Sequence, residues 1–115
     1  MSDEKLQSEL RGFQVAQQQL QMVSTQKLQT NMRIKETENA IEELRTSKAD
    51  TDVYKAVGRI LVKADLSRLK TDLEADKETL DVRMKSLTKQ ESQLKTKLTD
   101  LQKTLESKLR AKGSQ

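Results

Sequence analysis

The sequence predicts a mainly α fold: an antiparallel two-helix coiled coil with a β-hairpin at its closed end, hairpins from several chains pairing into a shared sheet or an oligomeric β-barrel. Three observations lead there. Leu66, Leu73, Leu80, Leu87, Leu94 and Leu101 recur every seven residues without a miss, the spacing of a helix that buries one narrow seam. From about Leu6 to Leu44, apolar residues stand mostly three and four apart, as on an amphipathic helix. Between these stretches lies DTDVYKAVGRILVKADL, residues 50–66, β-branched and apolar with a glycine at its centre.

Composition fits seams better than a thick core. Only 33% of the 115 residues are apolar and 2% aromatic, against about 45–50% apolar in an ordinary globular domain. Low hydropathy with 35% charged residues is also a signature of disorder, but the regular leucines argue against it. Three glycines and no proline permit very long helices.

The first helix is expected over residues 6–45. Its apolar places are Leu6, Leu10, Phe13, Ala16, Leu20, Val23, Ile34, Ile41 and Leu44. Two consecutive three-residue steps, from 10 to 13 to 16, shift the phase of this seam. Lys27, Thr30 and Thr37 fill later seam places. The glutamine-rich run QVAQQQLQ, residues 14–21, reads as a solvated helix face.

The connector, residues 46–64, begins at Thr46-Ser47, where helix propensity falls. Asp50, Thr51 and Asp52 favour a turn. Two β-rich runs, Val53–Val57 and Ile60–Lys63, flank Gly58-Arg59, and glycine at the first central place suits a type II′ turn. On that register Val57 pairs with Ile60 and Lys55 with Val62. Val53, Val57, Ile60 and Val62 then share a face with Lys55, and Tyr54, Ala56 and Leu61 share the other. A lone two-stranded hairpin is marginal in water and leaves its edges unpaired. Pairing with hairpins of other chains solves both problems.

The second helix is expected over residues 65–110, capped by Asp65. After Leu69 the intermediate heptad places give Asp76, Arg83 and Gln90, while Met84, Leu98 and Leu105 stand one place further on. Helical drift of about 20° per heptad would carry those residues to the seam. Residues 6–45 and 66–109 span roughly 60 and 65 Å. Equal lengths around a reversing connector put Leu6 and Leu10 near Leu105 and Leu109. The whole chain, 1–115, reads as one domain.

Function classes narrow quickly. There is no His or Cys, so histidine bases, thiol nucleophiles and the usual zinc ligands are absent. The carboxylates have no pocket that would raise a pKa, and the three glycines stand apart from any phosphate-binding motif. Neither catalysis nor a cofactor is expected. A leucine-zipper DNA binder needs a basic helix entering the zipper, but residues 41–65 hold five basic and five acidic residues and the β-rich insert. The net charge of +4 comes from 22 basic and 18 acidic side chains, too mixed to imply nucleic acid. Without an apolar run long enough for a signal peptide or membrane span, a soluble cytoplasmic protein is expected.

Two features remain open. The Lys-rich tail (Lys95, Lys97, Lys103, Lys108, Arg110, Lys112) is either a solvated face or a patch that steers an acidic partner. The end leucines and phenylalanine, Leu6, Leu10, Phe13, Leu101, Leu105 and Leu109, are either ordinary seam packing or a contact surface for unfolded chains.

Three stretches, QQQLQMV at 17–23, VYKAVGRILVK at 53–63 and ETLDVRMKSLTKQE at 78–91, resemble the β class of the prefoldin family, in its archaeal form, over nearly the whole chain. The middle stretch is the most specific, being the hairpin between the coiled-coil helices. The resemblance implies a hexamer of two α and four β subunits (α2β4) whose hairpins form a double β-barrel from which six coiled coils project. It implies an ATP-independent holdase that captures unfolded proteins at the coiled-coil tips and hands them to a group II chaperonin in the cytosol. Carried over, Val53, Tyr54, Val57, Gly58, Ile60, Leu61 and Val62 become oligomerisation residues. Leu6, Leu10, Phe13, Leu101, Leu105 and Leu109 become client-binding residues. Family members often carry a proline before the hairpin, where this chain reads SKADTD, and Arg59 falls at a variable position. The alternative is a structural coiled-coil scaffold or tether that binds no client.

Overall fold

The structure, a computed structural model, describes residues 2–113, except for the side chain of Ser2. Helix α1 spans Ser2–Thr46, strand β1 Val53–Val57, strand β2 Ile60–Ala64 and helix α2 Leu66–Gly113. The predicted order of elements is the observed one, with both helices a few residues longer at the ends away from the hairpin. Asp3 and Glu4 in the first turn of α1, and Arg110 and Lys112 in the last turn of α2, complement the helix dipoles there. No helix among the described residues is long and apolar enough to cross a membrane.

The chain divides into two compact units. One contains the hairpin and runs from Gln29 to Met84; the other joins the residues up to Leu28 with those from Lys85 onward. In the hairpin unit the covered places are 30, 34, 37, 41 and 44 on α1 and 66, 70, 73, 77, 80 and 84 on α2. In the second unit they are 6, 9, 13, 16, 20, 23 and 27 on α1 and 87, 91, 94, 98, 101, 105 and 108 on α2. Each helix thus alternates steps of three and four, the repeat of a supercoiled seam. Gly12, Gln26, Ala40 and Leu69 are half-covered beside it.

This phase corrects two expectations. The seam of α1 has no shift at 10–16, because Glu9 and not Leu10 takes the seam place, which leaves Leu10 exposed. On α2 the places four residues after the heptad leucines belong to the seam from Lys70 and Lys77 onward, so gradual drift is not what brings Met84, Leu98 and Leu105 inward. Lysine fills such places by laying its methylene stem along the seam while its ammonium reaches water. Thr30, Thr37 and Lys27 are covered as predicted, Thr30 to 4% exposure.

Candidate functional site

Two surfaces carry the candidate residues, one in each unit. In the hairpin unit, β1 and β2 pair antiparallel with Val57 opposite Ile60, Lys55 opposite Val62 and Val53 opposite Ala64. This is the predicted register. Gly58 has a φ of +61° and no other described residue has a positive φ, the asymmetry of a type II′ turn. The connector is pinned locally. The backbone N–H of Thr51 donates to the Lys48 carbonyl at 3.0 Å, and Lys63 Nζ lies 3.4 Å from Asp52 Oδ1. Asp65 caps α2 as predicted: its Oδ2 accepts from the Arg68 N–H at 3.1 Å.

The pairing leaves apolar side chains bare on both faces of this two-stranded sheet. Val57, Ile60 and Val62 are exposed on one face, and Tyr54 and Leu61 on the other, Leu61 to 72%. Val53 is half-buried. The six apolar residues assigned to oligomerisation therefore occupy one short hairpin, turned at Gly58.

In the second unit, the ends of α1 and α2 lie side by side. Asp3 Oδ1 accepts from Lys112 Nζ at 2.8 Å, and Glu9 Oε1 accepts a hydrogen bond from Lys108 Nζ. These contacts bring together the six end residues that sequence analysis grouped, but not in one environment. Leu105 is buried at 7% exposure, and Leu6, Phe13 and Leu101 are half-buried. Leu10 and Leu109 stand outside the seam at 42% and 54% exposure. Lys112 holds the Asp3 carboxyl below its ordinary pKa, first through its hydrogen bond and then through its charge.

Further along the same unit, Glu91 takes a seam place and collects three partners. Its Oε1 accepts from Lys27 Nζ at 3.0 Å, its Oε2 from Ser24 Oγ at 3.5 Å, and Lys95 Nζ lies 3.8 Å from Oε1. The Lys27 hydrogen bond lowers the Glu91 pKa, partial burial opposes it, and the charges of Lys27 and Lys95 add to the lowering.

Lys95, Lys108 and Lys112 of the basic tail are thus engaged in ion pairs. Sequence analysis missed these cross-helix pairs. Their signal is visible only after the two helices are set in antiparallel register, when Glu9 meets Lys108 and Lys27 meets Glu91. It also missed Met22, which is exposed beside a groove of about 450 Å³ lined by Val23, Leu94 and glutamines.

A family model for prefoldin subunits matches residues 7–112. A prefoldin subunit beta of Archaeoglobus fulgidus is 41% identical over 97 residues, covering 84% of this chain and 84% of the relative. One of Thermococcus onnurineus is 36% identical over 102 residues, covering 89% and 85%. The crystal structure of the prefoldin beta subunit from Thermococcus strain KS-1 superposes with a TM-score of 0.81 at 35% identity, over 92% of this chain and 93% of that one. The beta2 subunit of the same strain, at 21% identity and a TM-score of 0.71, shares the fold.

Proposed function

The chain belongs to the prefoldin family, and from that premise we propose that it is an ATP-independent holdase subunit. Membership in this family supports a chaperone-type role. In this reading Val53, Tyr54, Val57, Gly58, Ile60, Leu61 and Val62 assemble the chain with α-class and other β subunits of an α2β4 hexamer, each hairpin adding strands to a shared barrel. The ends of the helices, with Leu6, Leu10, Phe13, Leu101, Leu105 and Leu109, capture unfolded proteins in the cytoplasm. The captured chains then pass to a group II chaperonin.

The observation that carries capture is the pair Leu10 and Leu109, exposed beside a packed seam. Aliphatic contacts contribute about 0.8 kcal/mol per buried CH₂ and make no demand on the client's sequence. Many clients can therefore share one site. The test is light scattering from a denatured model protein diluted into the assembled complex without nucleotide. Suppressed aggregation is expected; scattering equal to that of the buffer control overturns the reading.

A second reading, a coiled-coil scaffold that tethers partners, is favoured by the covered state of Leu105 and the partial covering of Leu6, Phe13 and Leu101. It requires the same complex to assemble and yet leave aggregation unchanged. The one experiment separates the two.

A further inference from the structure

We propose that the Glu9–Lys108 ion pair is a gate on the end of the helix pair, setting how much apolar surface that end shows. Both residues occupy seam places, where the repeat calls for apolar side chains. The pair is partly covered, with side-chain exposures of 20% for Glu9 and 35% for Lys108. Glu9 Oε1 takes the lysine hydrogen bond, while Oε2 is enclosed and accepts none. A carboxylate oxygen removed from water without a partner loses hydration that the single ion pair does not fully restore. This layer therefore closes the end less tightly than a pair of leucines would. Asp3 and Lys112 close it further out, but both are largely exposed, and pairs of that kind contribute little.

What lies behind the gate is apolar. Leu105 is buried, and Leu6, Phe13 and Leu101 are half-buried at the same end. Leu10 and Leu109 are already outside because the neighbouring seam places belong to Glu9 and Lys108. Closed, the end presents two leucines; opened, it adds the covered residues to them. The consequence for client capture rests on the function proposed above, whereas the gate itself does not.

Charge reversal tests it on the full-length assembled complex. Glu9→Lys sets two ammonium groups against each other, and Lys108→Glu sets two carboxylates. The first makes the chain more basic and the second more acidic, so an effect of net charge would move them in opposite directions. The gate moves both the same way. Amide hydrogen exchange over residues 3–13 and 101–112 is expected to quicken roughly fivefold in each, the equivalent of about 1 kcal/mol. The double swap Glu9→Lys with Lys108→Glu restores the original rates to within about twofold on the same scale. Exchange over residues 53–64 stays unchanged.

Wild-type rates in both single variants overturn the gate. So do opposite responses, a double swap that fails to recover, or acceleration that extends into the hairpin. In the aggregation assay the single variants are expected to suppress scattering at lower complex concentration. Quickened exchange with unchanged suppression retains the gate and overturns its link to capture. Loss of suppression in the wild type as well points instead to failure of the holdase reading.

Discussion

Gly58 turns the chain with a φ of +61°, and nothing lies within 4 Å of where its side chain would stand. Within the chain, the demand at this position is therefore backbone conformation alone. A left-handed residue with a Cβ costs about 1–2 kcal/mol, and asparagine tolerates positive φ better than β-branched residues do. Gly58→Val is expected to weaken the hairpin by about 2 kcal/mol and Gly58→Asn by less, an order that size distributions of the complex at limiting concentration will report. Asp65 works at the same scale. Its carboxylate accepts the Arg68 N–H, so Asp65→Ala is expected to cost about 1 kcal/mol at the start of α2. Faster amide exchange over residues 66–69, with the rest of α2 unchanged, is the matching observation.

At the scale of the helices, Glu91 is one of the carboxylates that tie α1 to α2 in the second unit. Glu91 has its pKa held below the ordinary value of 4.5, first by the Lys27 hydrogen bond. A carboxyl whose folded pKa lies below its unfolded one stabilises the fold fully above the unfolded value. That contribution is lost as the pH falls through the folded value. Thermal unfolding followed by circular dichroism is therefore expected to show a Tm that drops below about pH 4.5. Glu91→Gln should lower the Tm at pH 7 and flatten the acid limb; an equally steep limb in the variant would remove Glu91 from the account. The leucine heptad of α2, the hairpin register and the Asp65 cap were all legible in the sequence, because each is written in local residue type and spacing. The phase of α1 near its start was not. Leu10 looked like a seam residue because it is apolar, and Glu9 takes the place because Lys108 stands across from it. An ion pair between residues this far apart in sequence leaves no local trace. The exposed end leucines were nameable one by one, but their division into covered and open residues depends on that pair.

For the whole molecule, the proposed function assigns assembly and capture to different residues, and that division makes opposite predictions for two variants. Val57 pairs with Ile60 and stands half exposed on the hairpin. If neighbouring hairpins cover it, Val57→Asp would place a charge there without a partner, at a cost of several kcal/mol. Native mass measurement of this chain mixed with an α-class partner is expected to show loss of the hexamer, while helical circular dichroism of the free chain persists. Removing residues 1–10 and 105–115 takes away Leu10 and Leu109 together with Glu9, Lys108 and the buried Leu105, and leaves the hairpin untouched. That chain is expected to enter the hexamer normally and to suppress aggregation less than the full-length complex, with the loss rising as clients grow shorter and engage fewer ends at once. A truncated complex that falls apart would place assembly contacts at the helix ends. One that assembles and protects clients fully would move the capture surface inward, toward the exposed Met22 and the groove beside Val23 and Leu94.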